Sequence, residues 1–256
     1  MSFDVPPEAY DRFMGRFSRP LAGKFLAELD PDGAAVARGS RVLDVGAGTG
    51  VLTGRLREAG ADVVAVEPSD SFVGALAGRH PDVEVVRATA EDLPFGDGAF
   101  DAALAQLVVH FMADPVAGLR EMARVTRPGG IVAACVWDHA GGGPMRAFWT
   151  ALRELHPETR DERVRAGTRE GHLVELFDDA GLADVRGTVL EVRVPMASFD
   201  DWWEPLMLGV GSTAAQVEAL DDAGRAELRA ACAELMPEGP FELDARAWCA
   251  VGRVPA

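Results

Sequence analysis

"VLDVGAGTG", Val42 to Gly50, brings an apolar run to an aspartate and then sets glycines at alternate positions, Gly46, Gly48 and Gly50. Glycine takes positive φ without penalty and lets a ligand approach the backbone with no Cβ in the way. A helix starting just after it would add unpaired N–H groups and the positive end of its dipole. The stretch therefore reads either as a tight structural turn or as a ligand cradle. Its third glycine comes one residue earlier than in the dinucleotide pattern G-x-G-x-x-G. Asp44 would also place a negative charge where a pyrophosphate should sit. Both features argue against a phosphate cradle.

Outward from this turn, apolar runs of strand length alternate with helical stretches. "RVLDVG", "DVVAVEP", "VEVVRAT", "FDAALAQLVV" and "GGIVAACVW" are the strands, and "GVLTGRLREAG", "SDSFVGALAGRHP" and "DPVAGLREMARVTRPG" lie between them. Strands of Val, Leu, Ile and Ala without polar alternation are buried on both faces, as in a parallel sheet covered by helices. The alternation over 41–138 predicts a doubly wound α/β sheet. Upstream, Phe13, Phe17, Leu21, Phe25 and Leu29 recur every four residues and predict an amphipathic helical arm, with Pro20 as a break or a helix start within it. "DPDGAAVARGS" (30–40) is a turn-rich connector. Beyond Asp138, "GPMRAFWTALREL" and "EGHLVELFDDAGL" are helical, the second capped by Gly181. "ADVRGTVLEVRV" and "FELDARAWCAVGRV" are strands separated by further helices.

The 256 residues are 48% apolar and 26% charged, which is ordinary globular usage. A net charge of -16 would repel a polyanion, which excludes nucleic acid as the expected partner. The longest charge-free runs, 102–113 and 205–217, fall short of the ~20 apolar residues of a membrane helix. "MSFDVPPEAY" has neither a basic start nor an apolar core, so no secretory signal is expected. Three scattered cysteines, Cys135, Cys232 and Cys249, suit a reducing compartment and form no metal-binding pair. The expectation is a cytoplasmic protein with no membrane insertion. Its oligomeric state is not legible.

Two further stretches follow the glycine turn in order. Glu67 closes "DVVAVEP", where an acid at the end of a second strand can accept hydrogen bonds from ribose hydroxyls; it can equally be an acid of a helix's first turn. "ATAEDLPFGDGAFD" then presents acceptors, Glu91 or Asp92, able to read an adenine amino group.

Taken together, "VLDVGAGTG", "VEP", "AEDLPF", "FDAALAQLVVHF" and "REMARVTRPGG" resemble class I S-adenosylmethionine-dependent methyltransferases, in the small-molecule branch that includes the ubiquinone and menaquinone methyltransferases. The likeness covers 41–138. It implies a Rossmann-like seven-stranded sheet with an antiparallel last strand, in one domain over 1–256. That domain would comprise an N-terminal arm or lid (1–30), a cofactor-binding core (40–138) and a C-terminal half (139–256) with a helical substrate-side insertion at about 199–235. The cofactor implied is S-adenosylmethionine, with S-adenosylhomocysteine as product. By the same resemblance, Gly46, Ala47 and Gly48 line its methionine part, with Asp44 near its cationic end. Glu67 binds the ribose, Pro68 and Phe72 lie beside the adenine, and Ala90 and Glu91 meet the adenine edge. Gln106 sits by the amino group or sulfonium. "YDRFMGRFS" is similar to the arm that closes over the cofactor, which would bring Tyr10 and Arg16 to the carboxylate; a plain packing arm is the other reading.

Methyl transfer needs alignment above all, and a base only where the acceptor keeps its proton. His110, His139 and Asp138 follow the fourth and fifth strands, where open sheets place ligands. His110 can serve as a base or pack against the following helix, and His139 can serve as a base or lie in a flexible glycine loop. Trp137, Phe148, Trp149, Trp202, Trp203, Met207 and Leu208 form two clusters that either line an apolar pocket or pack on themselves. The expected reaction is transfer to a small apolar or aromatic acceptor without a metal. A nucleotide-dependent oxidoreductase and a non-catalytic S-adenosylmethionine-binding protein are the alternatives.

Overall fold

The computed structural model describes residues 5–29, 36, 38–159 and 164–256. Most of the 30–40 connector lies outside them. The sheet grows from β1 (Arg41–Val45), which pairs in parallel with β2 (Asp62–Val66) and β4 (Phe100–Gln106). β3 (Glu84–Val86) extends β2 in parallel, and β5 (Thr126–Trp137) extends β4. The last two strands, β6 (Ala183–Met196) and β7 (Phe241–Arg253), form an antiparallel pair, and β7 also runs antiparallel to β5. The order is β3-β2-β1-β4-β5-β7-β6, the mixed seven-stranded sheet expected.

Strand side chains alternate between faces, and here each face meets its own helical layer. Val42, Ala102 and Leu104 face one core, with Phe17, Leu21 and Phe25 of the arm and with Phe148. Leu43, Val45, Ala103 and Ala105 face the other, with Leu119, Met122 and Phe177. The first layer includes α2 (Arg16–Leu29), α3 (Val51–Glu58) and α6 (Arg146–Leu155), with α4 (Asp70–Arg79) beside α3, where its Leu76 and the following His80 approach Gly50; the second includes α5 (Pro115–Val125) and α7 (His172–Asp179). Between β6 and β7 come α8 (Phe199–Trp203), α9 (Gly211–Ala219) and α10 (Asp222–Glu234). Among the described residues no helix is long and apolar enough to cross a membrane.

The arm is helical and all five of its repeating apolar residues are buried. Pro20, however, does not interrupt it: α2 runs through Pro20. The irregularity lies upstream, where Asp11–Gly15 forms a π turn, a wide turn that shifts the helical register. Gly181, at φ 85°, follows α7, and the N–H groups of Gly181 and Leu182 return to Asp178 and Phe177, the expected glycine cap.

Candidate active site

Gly46, Gly48 and Gly50 all take positive φ, at 67°, 56° and 88°. A Cβ on Gly46 would lie 2.6 Å from Val108 Cγ2, whereas one on Gly48 would meet nothing within 4 Å. Gly46 is thus glycine for packing and for φ. Gly48 borders open space, as a cradle needs. Glu67 closes the turn from behind, one carboxylate oxygen accepting from the Gly48 N–H at 2.9 Å and the other from the Ser69 N–H at 2.9 Å. Burial raises its pKa despite those two bonds. Asp44 is buried and accepts from Thr53 Oγ1 at 2.6 Å. Burial, opposed by Thr53 and assisted by Glu67, pushes it up to about 7. Two buried carboxyls of raised pKa beside a glycine turn make a site complementary to a cation.

At the end of β4, Gln106 donates to the Ser18 carbonyl at 3.1 Å, while its Oε1 is buried with no partner. The next residue, Leu107, has φ 64°, a left-handed conformation costing a non-glycine residue about 1 to 2 kcal/mol. This flip ends the strand at Gln106, although the apolar run continues to Val109. Tyr10, Asp44, Gly46, Ala47, Gly48 and Gln106 surround one cavity of about 30 Å³.

A second cavity, of about 70 Å³, lies across Tyr10 and Leu107, which line both. His110, His139, Trp137 and Trp149 are in its walls, with Phe13 and Val210. The His110 and His139 rings meet edge to face with centroids 5.4 Å apart. His110 is 7% exposed, and its Nδ1 has no partner, like Nε1 of Trp137. Burial, with His139 and Arg165 nearby, holds His110 well below the usual imidazole range, so it is neutral.

The arm covers the junction. Tyr10 packs on Phe72 with ring centroids 5.2 Å apart. Burial, Glu67 and Asp11 push its phenol pKa up, so it remains a donor. Asp11 accepts from Thr49 Oγ1 at 2.6 Å and pairs with Arg79, which also donates to the Thr49 carbonyl. This clasp joins arm to turn, and no local motif announces it because Asp11 and Thr49 lie 38 residues apart.

Several expected site residues lie elsewhere. Arg16 is bound by Asp201, at 2.9 Å to Oδ2 and 2.8 Å to the carbonyl, so it ties the arm to the insertion rather than facing the turn. Asp138 is no base: it accepts from Arg246 Nε at 2.9 Å and from the N–H groups of Ala140 and Gly141. Glu91 caps the approach to α5, accepting from the Ala113 N–H at 2.7 Å. Ala90 is buried against the α5 layer, and Pro68 is exposed. Of the aromatic clusters, Trp137 and Trp149 line the second cavity, whereas Phe148, Trp202 and Trp203 are core. Met207 is exposed. Among the described residues no three His, Cys, Asp or Glu side chains gather as a metal ion would require.

A mixed seven-stranded sheet in the order β3-β2-β1-β4-β5-β7-β6, with a glycine turn after β1 and an acid after β2, defines a class I methyltransferase fold. Comparison with known proteins agrees. A family profile described as a methyltransferase domain matches residues 43–134. The demethylmenaquinone methyltransferase of Renibacterium salmoninarum is 32% identical over 168 residues, covering 60% of this chain and 71% of that one. The demethylmenaquinone methyltransferase of Mycobacterium sp. (strain KMS) is 45% identical over 132 residues, covering 51% and 55%. A Haemonchus contortus phosphoethanolamine N-methyltransferase, solved with phosphomonomethylethanolamine and S-adenosylhomocysteine, superposes with a TM-score of 0.60 at 16% identity, over 98% of this chain and 57% of that one. The matched part spans between 50% and 71% of the curated relatives named demethylmenaquinone methyltransferase. The chain belongs to the class I S-adenosylmethionine-dependent methyltransferases and, within them, resembles the quinone-biosynthesis enzymes.

Proposed function

We propose that the chain methylates a small, apolar or aromatic acceptor seated in the His110–His139 cavity, with the donor held at the glycine turn. The observation that carries this is where buried polar groups lack partners. Among the described residues four such side-chain atoms occur, and Gln106, His110 and Trp137 in the walls of the two adjoining cavities supply three of them. Buried polar atoms are normally paired, so three orphans around one junction mark places that ligands complete.

S-adenosylmethionine supplies a methyl group already activated on a sulfonium, so the chain's own task is to bind, orient and exclude water. Gly46, Ala47 and Gly48 offer backbone and open space to the donor, and Asp44 balances its positive charge. Glu67 keeps a lone pair on each oxygen for ribose hydroxyls, and Phe72 shelters the adenine side together with Tyr10. Gln106 Oε1 accepts from the donor's amino group. Pro68, Ala90 and Glu91 stand farther from the turn; Ala90 reaches the adenine edge through its backbone. Tyr10 and Leu107 form the gate between the two ligands.

In the second cavity, neutral His110 orients the acceptor through Nδ1, and half-buried His139, facing it edge-on, takes the acceptor's proton. Orientation within a closed site can supply about 7 to 11 kcal/mol of a barrier, with a positioned base adding about 10²- to 10⁴-fold. A screen of hydroxylated and amino-bearing aromatics with radiolabelled methyl donor tests the proposal. His110→Asn and His139→Asn should each cut turnover at least tenfold without changing S-adenosylhomocysteine affinity. Unchanged turnover in both would remove the histidine pair from the mechanism.

A further inference from the structure

Arg146 begins α6 at the exposed edge of the second cavity, and among the described residues its guanidinium has neither a hydrogen bond nor an ion pair. The neighbouring arginines differ: Arg16, Arg193 and Arg246 are each held by a carboxylate. Nor does the cavity quench it. Asp138 is the single carboxylate in its wall, and Arg246 already neutralises that group. The start of α6 adds to the same charge, because beyond the Arg146 N–H, which donates to the Gly143 carbonyl, Met145 at its N-cap provides no side-chain acceptor for the next N–H groups. The groove that Arg146 also lines carries Glu191, Glu242 and Asp244, of which the last two are held by Arg193; a guanidinium unpaired among the described residues at a cavity edge is open to an anion from outside the chain.

Arg146 also faces outward. With Gly143 and Pro144 it forms a wall shared by the cavity and a groove of about 1180 Å³ running between α2, α6, the end of α10 and the antiparallel β6–β7 pair. Lys24, exposed and unpaired among the described residues, lies in that groove. At the inner end, Trp137 Nε1, which can only donate, and His110 Nδ1 await an oxygen. The lining between the two ends is largely apolar, with Phe13, Met14, Trp149 and Val210.

We propose that the methyl acceptor is an acid: an apolar or aromatic body with a carboxylate that Arg146 and the start of α6 hold at the mouth, while Trp137 and His110 hold an oxygen at the inner end. The assignment rests on reading this cavity as the acceptor site, and it makes Arg146 a specificity-determining residue. Guanidinium suits the task because its fork matches a carboxylate bidentately.

The test uses two probe pairs, 3-hydroxy-2-naphthoate with its methyl ester and 4-hydroxycinnamate with its methyl ester. Each is titrated by tryptophan fluorescence into the full chain holding S-adenosylhomocysteine. The acids should bind at least tenfold more tightly than the esters. Arg146→Ala should abolish that preference, leaving ester and S-adenosylhomocysteine affinities and the melting temperature unchanged, and Arg146→Lys should restore part of it. Equal binding of acid and ester, binding of neither, or an acid preference that survives Arg146→Ala overturns the proposal. Val210→Trp, which fills the cavity, separates the two levels: probe binding indifferent to it overturns the acceptor-cavity reading itself. Loss of both acid and ester on filling the cavity, without any acid preference, overturns only the role of Arg146.

Discussion

The two cavities that meet at Tyr10 and Leu107 are built in opposite ways. The side we assign to the donor is mostly backbone and nearby chain: Gly46 to Gly50, Asp44 one turn of sequence before them, and Glu67 at the next strand end, 19 residues beyond Gly48. The side we assign to the acceptor gathers the arm at Tyr10 and Phe13, the end of β4 at His110, the end of β5 at Trp137 and the insertion at Val210. A site made of backbone in a short segment has little freedom to drift, whereas one made of side chains from four segments can change its ligand by local substitution. That contrast fits a shared donor and divergent acceptors.

If the donor side depends on backbone shape, Gly46→Ala should be the most damaging small change. Its Cβ would overlap Val108 at an unfavourable φ, costing about 3 kcal/mol in strain and overpacking. S-adenosylhomocysteine affinity, followed by calorimetry, should fall by about two decades for an equal loss in binding. Gly48→Ala, with open space around its Cβ, should melt closer to the parent. Equal melting temperatures for the two variants would break the argument.

The acceptor side rests on side-chain pairing, and Arg246→Met probes that. It leaves Asp138, 1% exposed, without its guanidinium. Because Arg246 is itself 40% exposed, the loss of stability should be about 2 kcal/mol, below the range for fully buried pairs. Denaturant unfolding gives the value. Donor affinity should stay within twofold, since Asp138 lines the second cavity, Arg246 lines the outer groove and neither borders the glycine-turn cavity.

Asp44 gives the donor side a pH dependence. Its folded pKa is about 7 against the ordinary 3.8, so the folded chain holds an extra proton between those values. Stability of the unliganded chain therefore falls as pH rises from about 4 to 7. A cationic donor favours the ionised form, so its affinity should rise about tenfold from pH 6 to pH 8. Asp44→Asn should flatten the profile, and a profile unaltered by that change would remove Asp44 from donor binding.

The smallest effect is expected at Arg16. Its ion pair with Asp201 is partly exposed, and Arg16→Ala should cost less than about 1 kcal/mol. S-adenosylhomocysteine affinity should change less than twofold. A tenfold loss would return Arg16 to the donor site.

The core and the glycine turn were legible because their signals are local. Continuous Val and Ala runs marked strands buried on both faces, and four-residue spacing marked Phe13 to Leu29 as one buried face. Arg16 points to the insertion for a physical reason: the π turn over Asp11–Gly15 alters the register, so sequence spacing does not tell which way the arm's polar side chains turn. Asp11 takes the place by the glycine turn, while Arg16 reaches the insertion. Asp138 had the right position for a base, but its partner Arg246 lies 108 residues away. Leu107 carried no signal at all, since nothing about an apolar residue in an apolar run announces a left-handed φ.

By itself the sequence determined the sheet, the glycine turn and the acids at the strand ends beside it, because periodicity, glycine conformations and strand-end acids act over a few residues. Only the tertiary structure decided which polar atoms stay unpaired, which acid is neutralised and which cation is left free at the cavity mouth. Those outcomes depend on partners brought together from distant segments, and pairing in space leaves no trace in local spacing.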